Sequence, residues 1–253
     1  STLSPSSAAS DVYKRQVISL CILSIYKFRK KNSFHIVMAR HEGRTFGGIL
    51  SIGVQSLITE LSSGIVVLAF NIIILGLAGN TGVAAYAVIA NTSIVAVSIF
   101  TGIAQGGQPL ISAAHGIGDK DRLRAVLRYS IISQLVIALM VYLAIAFFTT
   151  PIAAIFNSEH IDSLQRMAED GMKIYFTGLF FSGFNIIISA FFAASEKIIP
   201  AQTITILRGF ALIVPMAFIM SKAAGLTGVW LAYPVTEFIV AAISIIFLSL
   251  IHI

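Results

Sequence analysis

Six runs of mostly apolar residues follow one another along this chain, and they constrain its fold more than any other feature. An α-helix needs about 20 apolar residues to cross the roughly 30 Å of hydrocarbon in a bilayer, and each run reaches that length. We therefore predict an all-α polytopic membrane protein, a bundle of six transmembrane helices preceded by the end of another. The runs cover approximately residues 46–77, 83–112, 125–156, 170–194, 198–220 and 226–250.

The composition agrees with a membrane protein. Hydrophobic residues make up 57% of the chain and charged residues 11%, whereas about 25% of a soluble domain is charged. The net charge of +6 would suggest nucleic-acid binding in a soluble protein, but the basic residues here fall in short loops between apolar runs. We expect lipid around the chain and no nucleic-acid partner. Cys21 is the only cysteine, so an intrachain disulfide is excluded.

Both ends of the chain differ from the rest. Residues 1–16 hold five serines in the first ten positions and lack the apolar centre of a signal peptide. These residues and the terminal residues 248–253 resemble translated sequencing adaptors, so we predict that both are non-native tails and that the chain is a fragment. Residues 17–45 are then expected to hold the end of a truncated helix, at 17–26, and a cytoplasmic linker.

The distribution of lysine and arginine predicts the orientation in the membrane, because these residues stay on the cytoplasmic side of short loops. The loops 27–45, 115–128 and 195–199 carry eleven of them, against three on the alternate side. We therefore predict a multi-pass protein of the plasma membrane with these three loops in the cytoplasm. The eleven are Lys27, Arg29, Lys30, Lys31, Arg40, Arg44, Lys120, Arg122, Arg124, Arg128 and Lys197, and the three are Arg166, Lys173 and Lys222.

Three charged residues lie near the centres of predicted spans: Glu60, Arg208 and Glu237. Each costs about 2.5–3.5 kcal/mol on insertion scales if it faces lipid, so we expect a polar cavity at mid-depth. Two carboxylates against one guanidinium leave one acidic group for a cation or a proton. Arg208 is either a structural partner of Glu237 or a substrate contact. Glu60 has the better claim to function, because it shares a helix face with small polar residues, namely Ser56, Ser63, Gly64 and Asn71.

Other polar residues recur at helical spacing, which predicts polar stripes on the second and fourth spans. Helix packing explains most of the serines and glycines among them, and the larger polar side chains are candidates for a substrate cavity. Prolines 109, 215 and 234 predict kinks that are either fixed or mobile. The stripes are Asn91, Ser98, Gly102 and Gln105, and Gly178, Ser182, Asn185 and Ser189; the cavity candidates are Asn71, Asn91, Gln105, Asn185, Arg208 and Glu237.

Familiar catalytic and cofactor motifs are absent from the sequence. It has no Gly-rich phosphate loop ending in Lys-Ser or Lys-Thr, and its five histidines form no metal-ligand pair at helical spacing. We therefore expect no enzymatic activity and no cofactor other than a coupling ion.

The order of motifs resembles the MATE family, the multidrug and toxic compound extrusion transporters. The resemblance lies in "GNTGVAAYAVIANTSIVAVSIFTGIAQGGQPLISAAHGIGDKDRL", then "ILRGFALIVP", then "GLTGVWLAYPVTE". It extends over about residues 17–250. The combination is more specific than any single glycine or proline within it.

The resemblance implies twelve helices in two six-helix lobes, with export of cationic or amphipathic drugs in exchange for Na⁺ or H⁺. This chain is similar to the C-terminal lobe, at 46–250, so 17–45 would link the lobes and an N-terminal lobe would be missing. Glu60 falls where the family has a cation-linked glutamate, which implies a possible Na⁺ site there. Asn185 stands in a helix where some branches have an aspartate.

We therefore predict a cation-coupled antiporter that exports small organic cations by alternating access. The alternative is a flippase for lipid-linked saccharides, which has the same broad architecture but needs more cavity-lining cations for pyrophosphate. The single mid-span cation, Arg208, favours the drug exporter. An intramembrane enzyme lacks a catalytic pair, and a purely structural scaffold does not explain three charges inside the spans.

Overall fold

The computed structural model describes residues 43–250 and, before them, Val17, Cys21 and Ser24. Side chains are described for those three residues and for 61–250. The chain separates into two units, Ser1–Ser51 and Ile52–Ile253, and the second unit contains the spans discussed below. The predicted tail 1–16 and most of the predicted segment 17–45 lie outside the described residues. Of the predicted tail 248–253, residues 248–250 continue the last helix.

Within 43–250 the regular structure is helical and contains no strand, which confirms the all-α fold class. A 3₁₀ turn, Phe176–Gly178, joins the fourth helix to the fifth, and a π-helical segment, Leu207–Ala211, joins the sixth to the seventh. The α-helices are α1 (Gly43–Gly116), α2 (Lys120–Phe147), α3 (Thr149–Phe156), α4 (Asp162–Tyr175), α5 (Leu179–Ala194), α6 (Ile198–Ile206) and α7 (Ile213–Leu250).

Two glycines interrupt the longest helices. A straight helix of 74 residues, the length of α1, would extend about 110 Å. The backbone instead breaks at Gly79, where φ is +63°, and α7 breaks at Gly225, where φ is +57°. Both values lie in the left-handed region, which glycine reaches without the steric cost of a Cβ atom. The breaks fall in the predicted gaps, between residues 77 and 83 and between 220 and 226.

Four helical stretches of the described chain are long and apolar enough to cross a membrane: Leu61–Gly116, Lys120–Phe147, Asp162–Ala194 and Ile198–Leu250. The first and last contain the glycine breaks and are 56 and 53 residues long. Each exceeds twice the roughly 20 residues that one crossing requires. The total of six crossings remains a prediction.

Helix α2 shows how the sequence directs one face of a helix into the bundle. It begins after Asp119, whose side chain accepts a hydrogen bond from the Arg122 backbone N–H at 2.9 Å, and such a cap satisfies a donor that the first turn leaves free. Its buried residues recur four or seven positions apart, so they share one side of the helix. They are Leu123, Leu127, Gln134, Ala138 and Ile145.

The buried apolar residues form two clusters along the bundle. The first contains Leu179 of α5 and Tyr233 of α7, and the second contains Ile187 of α5 and Val240 of α7. Between these levels α5 and α7 carry buried polar residues. The two apolar clusters therefore bracket a polar layer in the middle of the bundle.

Candidate functional site

The centre of the polar layer is an ion pair between Arg208 and Glu237. Arg208 Nη2 donates to Glu237 Oε1 at 2.7 Å, and Arg208 Nε lies 3.2 Å from the same oxygen. The glutamate side chain is only 3% exposed, whereas that of the arginine is 21% exposed. Hydrogen bonds of this charge-assisted kind are stronger than neutral ones. The carboxylate is thus compensated inside the protein, and the arginine side chain is more exposed than that of its partner.

Three uncharged side chains complete the hydrogen bonding of this pair. Asn185 Nδ2 donates to Glu237 Oε2 at 2.7 Å and to the Glu237 backbone carbonyl at 2.9 Å. Ser244 Oγ donates to Asn185 Oδ1 at 3.1 Å, and Arg208 Nη2 donates to Ser182 Oγ at 2.8 Å. Asn185, Ser182 and Ser244 are fully buried. We call these five residues the polar cluster.

Sequence spacing explains why the cluster assembles. Ser182 and Asn185 are three residues apart on α5, and Glu237 and Ser244 are seven apart on α7, so each pair shares a helix face. Arg208 lies in the π-helical segment, where Leu212 N–H bonds to the Leu207 carbonyl at 3.0 Å across five residues. This segment ends four residues before Pro215. Because proline has no N–H and its ring clashes with the carbonyl four residues back, the regular α-helical pattern is interrupted there.

An aromatic layer borders the polar cluster. The Tyr175 and Tyr233 rings stack with centroids 4.2 Å apart and an angle of 4° between their planes. Tyr233 precedes Glu237 by one helical turn. Gly178 allows this close packing, since a Cβ atom there would lie 2.7 Å from Tyr233 Cδ1 and 3.0 Å from the Pro234 Cα. The aromatic layer therefore limits how α4 and α7 can move relative to each other.

A shallow groove of about 370 Å³ lies along one side of α1. Its polar groups include Ser98, Thr101 and Gln105, and its apolar side chains include Val97. The Ser98 and Thr101 hydroxyls donate to carbonyls of their own helix at 2.7 and 2.9 Å. The lining carries no formal charge. The full lining is Ser93, Ile94, Val97, Ser98, Thr101, Gly102 and Gln105.

The structure brings together three of the predicted site residues, Asn185, Arg208 and Glu237. It shows Arg208 as a direct partner of Glu237, one of the two roles that the sequence left open. Asn185 uses both ends of its amide within the cluster, with the nitrogen donating to Glu237 and the oxygen accepting from Ser244. Their contact with substrate stays a prediction.

The other predicted site residues lie elsewhere. Asn91 and Gln105 are exposed on α1, and Asn91 Nδ2 donates to the Ala87 carbonyl at 2.8 Å. Asn71 is partly exposed on the same helix. Glu60 lies within α1, but its side chain is outside the described residues, so its proposed binding of Na⁺ stays a prediction.

Ser98 and Gly102 are exposed within 61–250 and line the groove, so their predicted packing against a neighbouring helix stays a prediction. Ser244 is a member of the polar cluster that was not among the predicted site residues. Its position two helical turns after Glu237 is the signal that could have revealed it.

Long apolar helices around a compensated ion pair define a multi-pass membrane protein, because a charge inside a bilayer persists only when protein or water surrounds it. Comparison with known proteins then identifies the family. The MatE family model matches residues 56–219. The chain therefore belongs to the MATE family, as its motifs predicted.

Curated relatives of this chain include two bacterial export proteins. The multidrug export protein MepA of Staphylococcus aureus (strain MSSA476) is 26% identical over 215 residues, which cover 84% of this chain and 47% of that protein. MepA of Staphylococcus saprophyticus is 25% identical over 237 residues, covering 92% of this chain and 51% of that protein. The chain spans about half the length of these relatives.

Solved structures of two transporter conformations share the fold. A multidrug resistance MATE family transporter in its outward-facing conformation gives a TM-score of 0.83 at 20% identity, covering 91% of this chain and 52% of that one. The inward-facing conformation of such a transporter gives a TM-score of 0.76 at 21% identity, covering 82% and 48%. At this level of identity the likeness concerns the fold alone.

Proposed function

We propose that this chain is part of a cation-coupled antiporter that exports small organic cations across the plasma membrane by alternating access. The observation that carries the proposal is the pairing of Arg208 with Glu237 at 2.7 Å. Arg208 is the only cation among the three mid-span charges of the sequence, and Glu237 already neutralises it. Charge balance then leaves Glu60 as the carboxylate available to Na⁺ or H⁺, and the relatives named as multidrug export proteins support the direction of transport.

The groove on α1 supports an amphipathic substrate. Binding sites for small organic molecules combine apolar surface with a few polar groups, and this groove offers hydroxyls, an amide and aliphatic side chains. Its uncharged lining means that the positive charge of a substrate must be met by a carboxylate outside the groove. Glu60 is the candidate for that role as well, so that cation and drug would compete for one group.

Competition at one carboxylate gives a mechanism for exchange. A coupling ion can shift the protein between inward- and outward-facing states only if it binds the two states with different affinity. On this hypothesis the ion favours the state that has released the drug, and the drug favours the other. The flippase alternative is disfavoured, because Arg208 already serves a carboxylate and is not free to hold a pyrophosphate.

The test is drug efflux by the complete transporter in cells that lack other efflux pumps. Glu60→Gln removes the charge while preserving the size of the side chain, and we expect it to abolish drug resistance and ethidium efflux at an unchanged level of protein in the membrane. Glu159→Gln is the matched control, since Glu159 is exposed in the loop after α3. Wild-type efflux by Glu60→Gln would refute the proposal. Collapsing the Na⁺ or the H⁺ gradient separately distinguishes the coupling ions.

A further inference from the structure

The first part of α2 carries a concentration of exposed positive charge. Its four cations are exposed, and two aspartates within the same ten residues leave a net charge of +2. Asp119 is engaged as the helix cap. Asp121 lies 3.7 Å from Arg124, with side chains 97% and 55% exposed, and exposed ion pairs of this kind contribute little. The cations are Lys120, Arg122, Arg124 and Arg128.

Two of these cations point away from the bundle. Leu123 and Leu127 belong to a buried cluster with Phe191 of α5, and this contact fixes which side of α2 faces inward. Arg124 and Arg128 are each the next residue along the helix, rotated by about 100° from that buried side. Both are exposed. Their guanidinium groups are thus presented to the surroundings of the bundle.

An apolar stripe continues directly from the two arginines. Ile132, Leu135 and Leu139 lie on the same side of α2 and are 45%, 44% and 49% exposed. Ile132 follows Arg128 by four residues, which is about 6 Å along the helix axis. In a membrane protein such an exposed stripe faces acyl chains. With this stripe in hydrocarbon, Arg128 would lie about one helical turn beyond it, which is the level expected for the phosphate groups.

The exposed residue beside Arg128 fits the same boundary. Tyr129 is 69% exposed, and tyrosine is enriched at membrane–water interfaces because its ring is apolar and its hydroxyl is polar. Arg124 and Arg128, one turn apart, are close enough to act on one phosphate group. Arginine suits this task, since its planar guanidinium can donate two parallel hydrogen bonds to phosphate oxygens.

We propose that Arg124 and Arg128 bind the headgroup phosphate of an anionic phospholipid, whose acyl chains lie along Ile132, Leu135 and Leu139. The cytoplasmic side predicted for this loop is the one on which basic residues meet anionic lipid. A zwitterionic lipid is a poorer ligand because its own cation repels the arginines. Each basic residue near such a surface contributes a factor of about five in affinity, so the pair contributes about 25-fold.

The experiment measures lipid that co-purifies with the full chain. The chain in detergent is incubated with an equal mixture of phosphatidylglycerol and phosphatidylcholine, and the retained lipids are quantified by mass spectrometry. We expect the wild type to prefer phosphatidylglycerol. The double variant Arg124→Ala with Arg128→Ala should lose about 25-fold of that preference, and replacing both arginines by lysine should give an intermediate preference, because lysine keeps the charge but not the paired hydrogen bonds.

The matched control removes two exposed cations from the side predicted to be outside, Arg166→Ala with Lys222→Ala. It lowers the net charge equally, so an unchanged lipid preference is expected. An equal loss in this control would overturn the proposal, as would full preference in the Arg124/Arg128 double variant. If that variant fails to fold, lipid retention by the wild type is the test. Equal retention of both lipids, or a preference for phosphatidylglycerol that does not fall with added salt, would contradict the site.

Discussion

Replacing Arg208 by alanine should destabilise the bundle strongly, because it leaves Glu237 charged and buried. The carboxylate would lose its 2.7 Å and 3.2 Å contacts to the guanidinium and keep only the donor from Asn185. At 3% exposure water cannot replace the lost partner without opening the bundle. Removal of one member of a buried ion pair costs about 3–5 kcal/mol, and we expect Arg208→Ala to fall in that range.

Replacing Glu237 instead should destabilise the bundle less than Arg208→Ala does, since the two partners differ in exposure. In Glu237→Gln the amide oxygen still accepts from Asn185, and Arg208, at 21% exposure, can recruit water. Loss of a hydrogen bond to a charged group costs about 1.5–3 kcal/mol, and we expect Glu237→Gln to destabilise the bundle by a similar amount. Combining both substitutions removes the uncompensated charge. The double variant should therefore be more stable than Arg208→Ala alone.

A double-mutant cycle on the purified chain measures this asymmetry. Unfolding of the wild type, both single variants and the double variant in a denaturing detergent titration gives four free energies and one coupling energy. We expect a coupling energy that exceeds the loss caused by Glu237→Gln alone, at the upper end of the roughly 0.5–3 kcal/mol found for contacting residues. The reasoning is refuted if Glu237→Gln costs more than Arg208→Ala, or if the double variant loses the sum of the two single losses.

Two further predictions concern packing and helix ends. Gly178→Ala should destabilise the chain by about 1–3 kcal/mol through overpacking against Tyr233; Gly106→Ala, where a Cβ atom meets nothing within 4 Å, is the control and should cost nothing. The same detergent titration compares them, and equal effects would contradict the close packing. Asp119→Ala removes the cap of α2 and should destabilise the chain by about 1 kcal/mol. Asp119→Asn keeps a capping oxygen and should retain most of that stability. Equal losses in the two variants would exclude capping as the cause.

The sequence predicted the parts of the fold that depend on local physical chemistry. Apolar runs of sufficient length gave the helical class, and the breaks at Gly79 and Gly225 fall where those runs are interrupted. The free-energy cost of placing a charge in hydrocarbon also predicted that Glu237 needs a partner. These features could be predicted because each depends on solvation or backbone conformation within a short segment.

The remaining features depend on contacts between distant segments. Nothing local to Ser244 shows that its hydroxyl meets Asn185, which is 59 residues away in sequence. The stack of Tyr175 on Tyr233 depends on the relative position of α4 and α7. Helical spacing likewise identifies the face that Ser98 and Gly102 share, but not what covers it.

The π-helical segment makes the polar cluster sensitive to the number of residues as well as to their identity. A turn closed across five residues instead of four contains one residue more than an α-helical turn. Deleting Phe210 therefore leaves the spacing of an α-helical turn across this segment, with every side chain of the cluster still encoded. Residues beyond the deletion would then keep nearly their present orientation relative to the preceding helix, because a π turn takes up its extra residue locally. A one-residue gap here in an alignment thus marks the loss of the wide turn that contains Arg208, and not a shifted register in the rest of the helix.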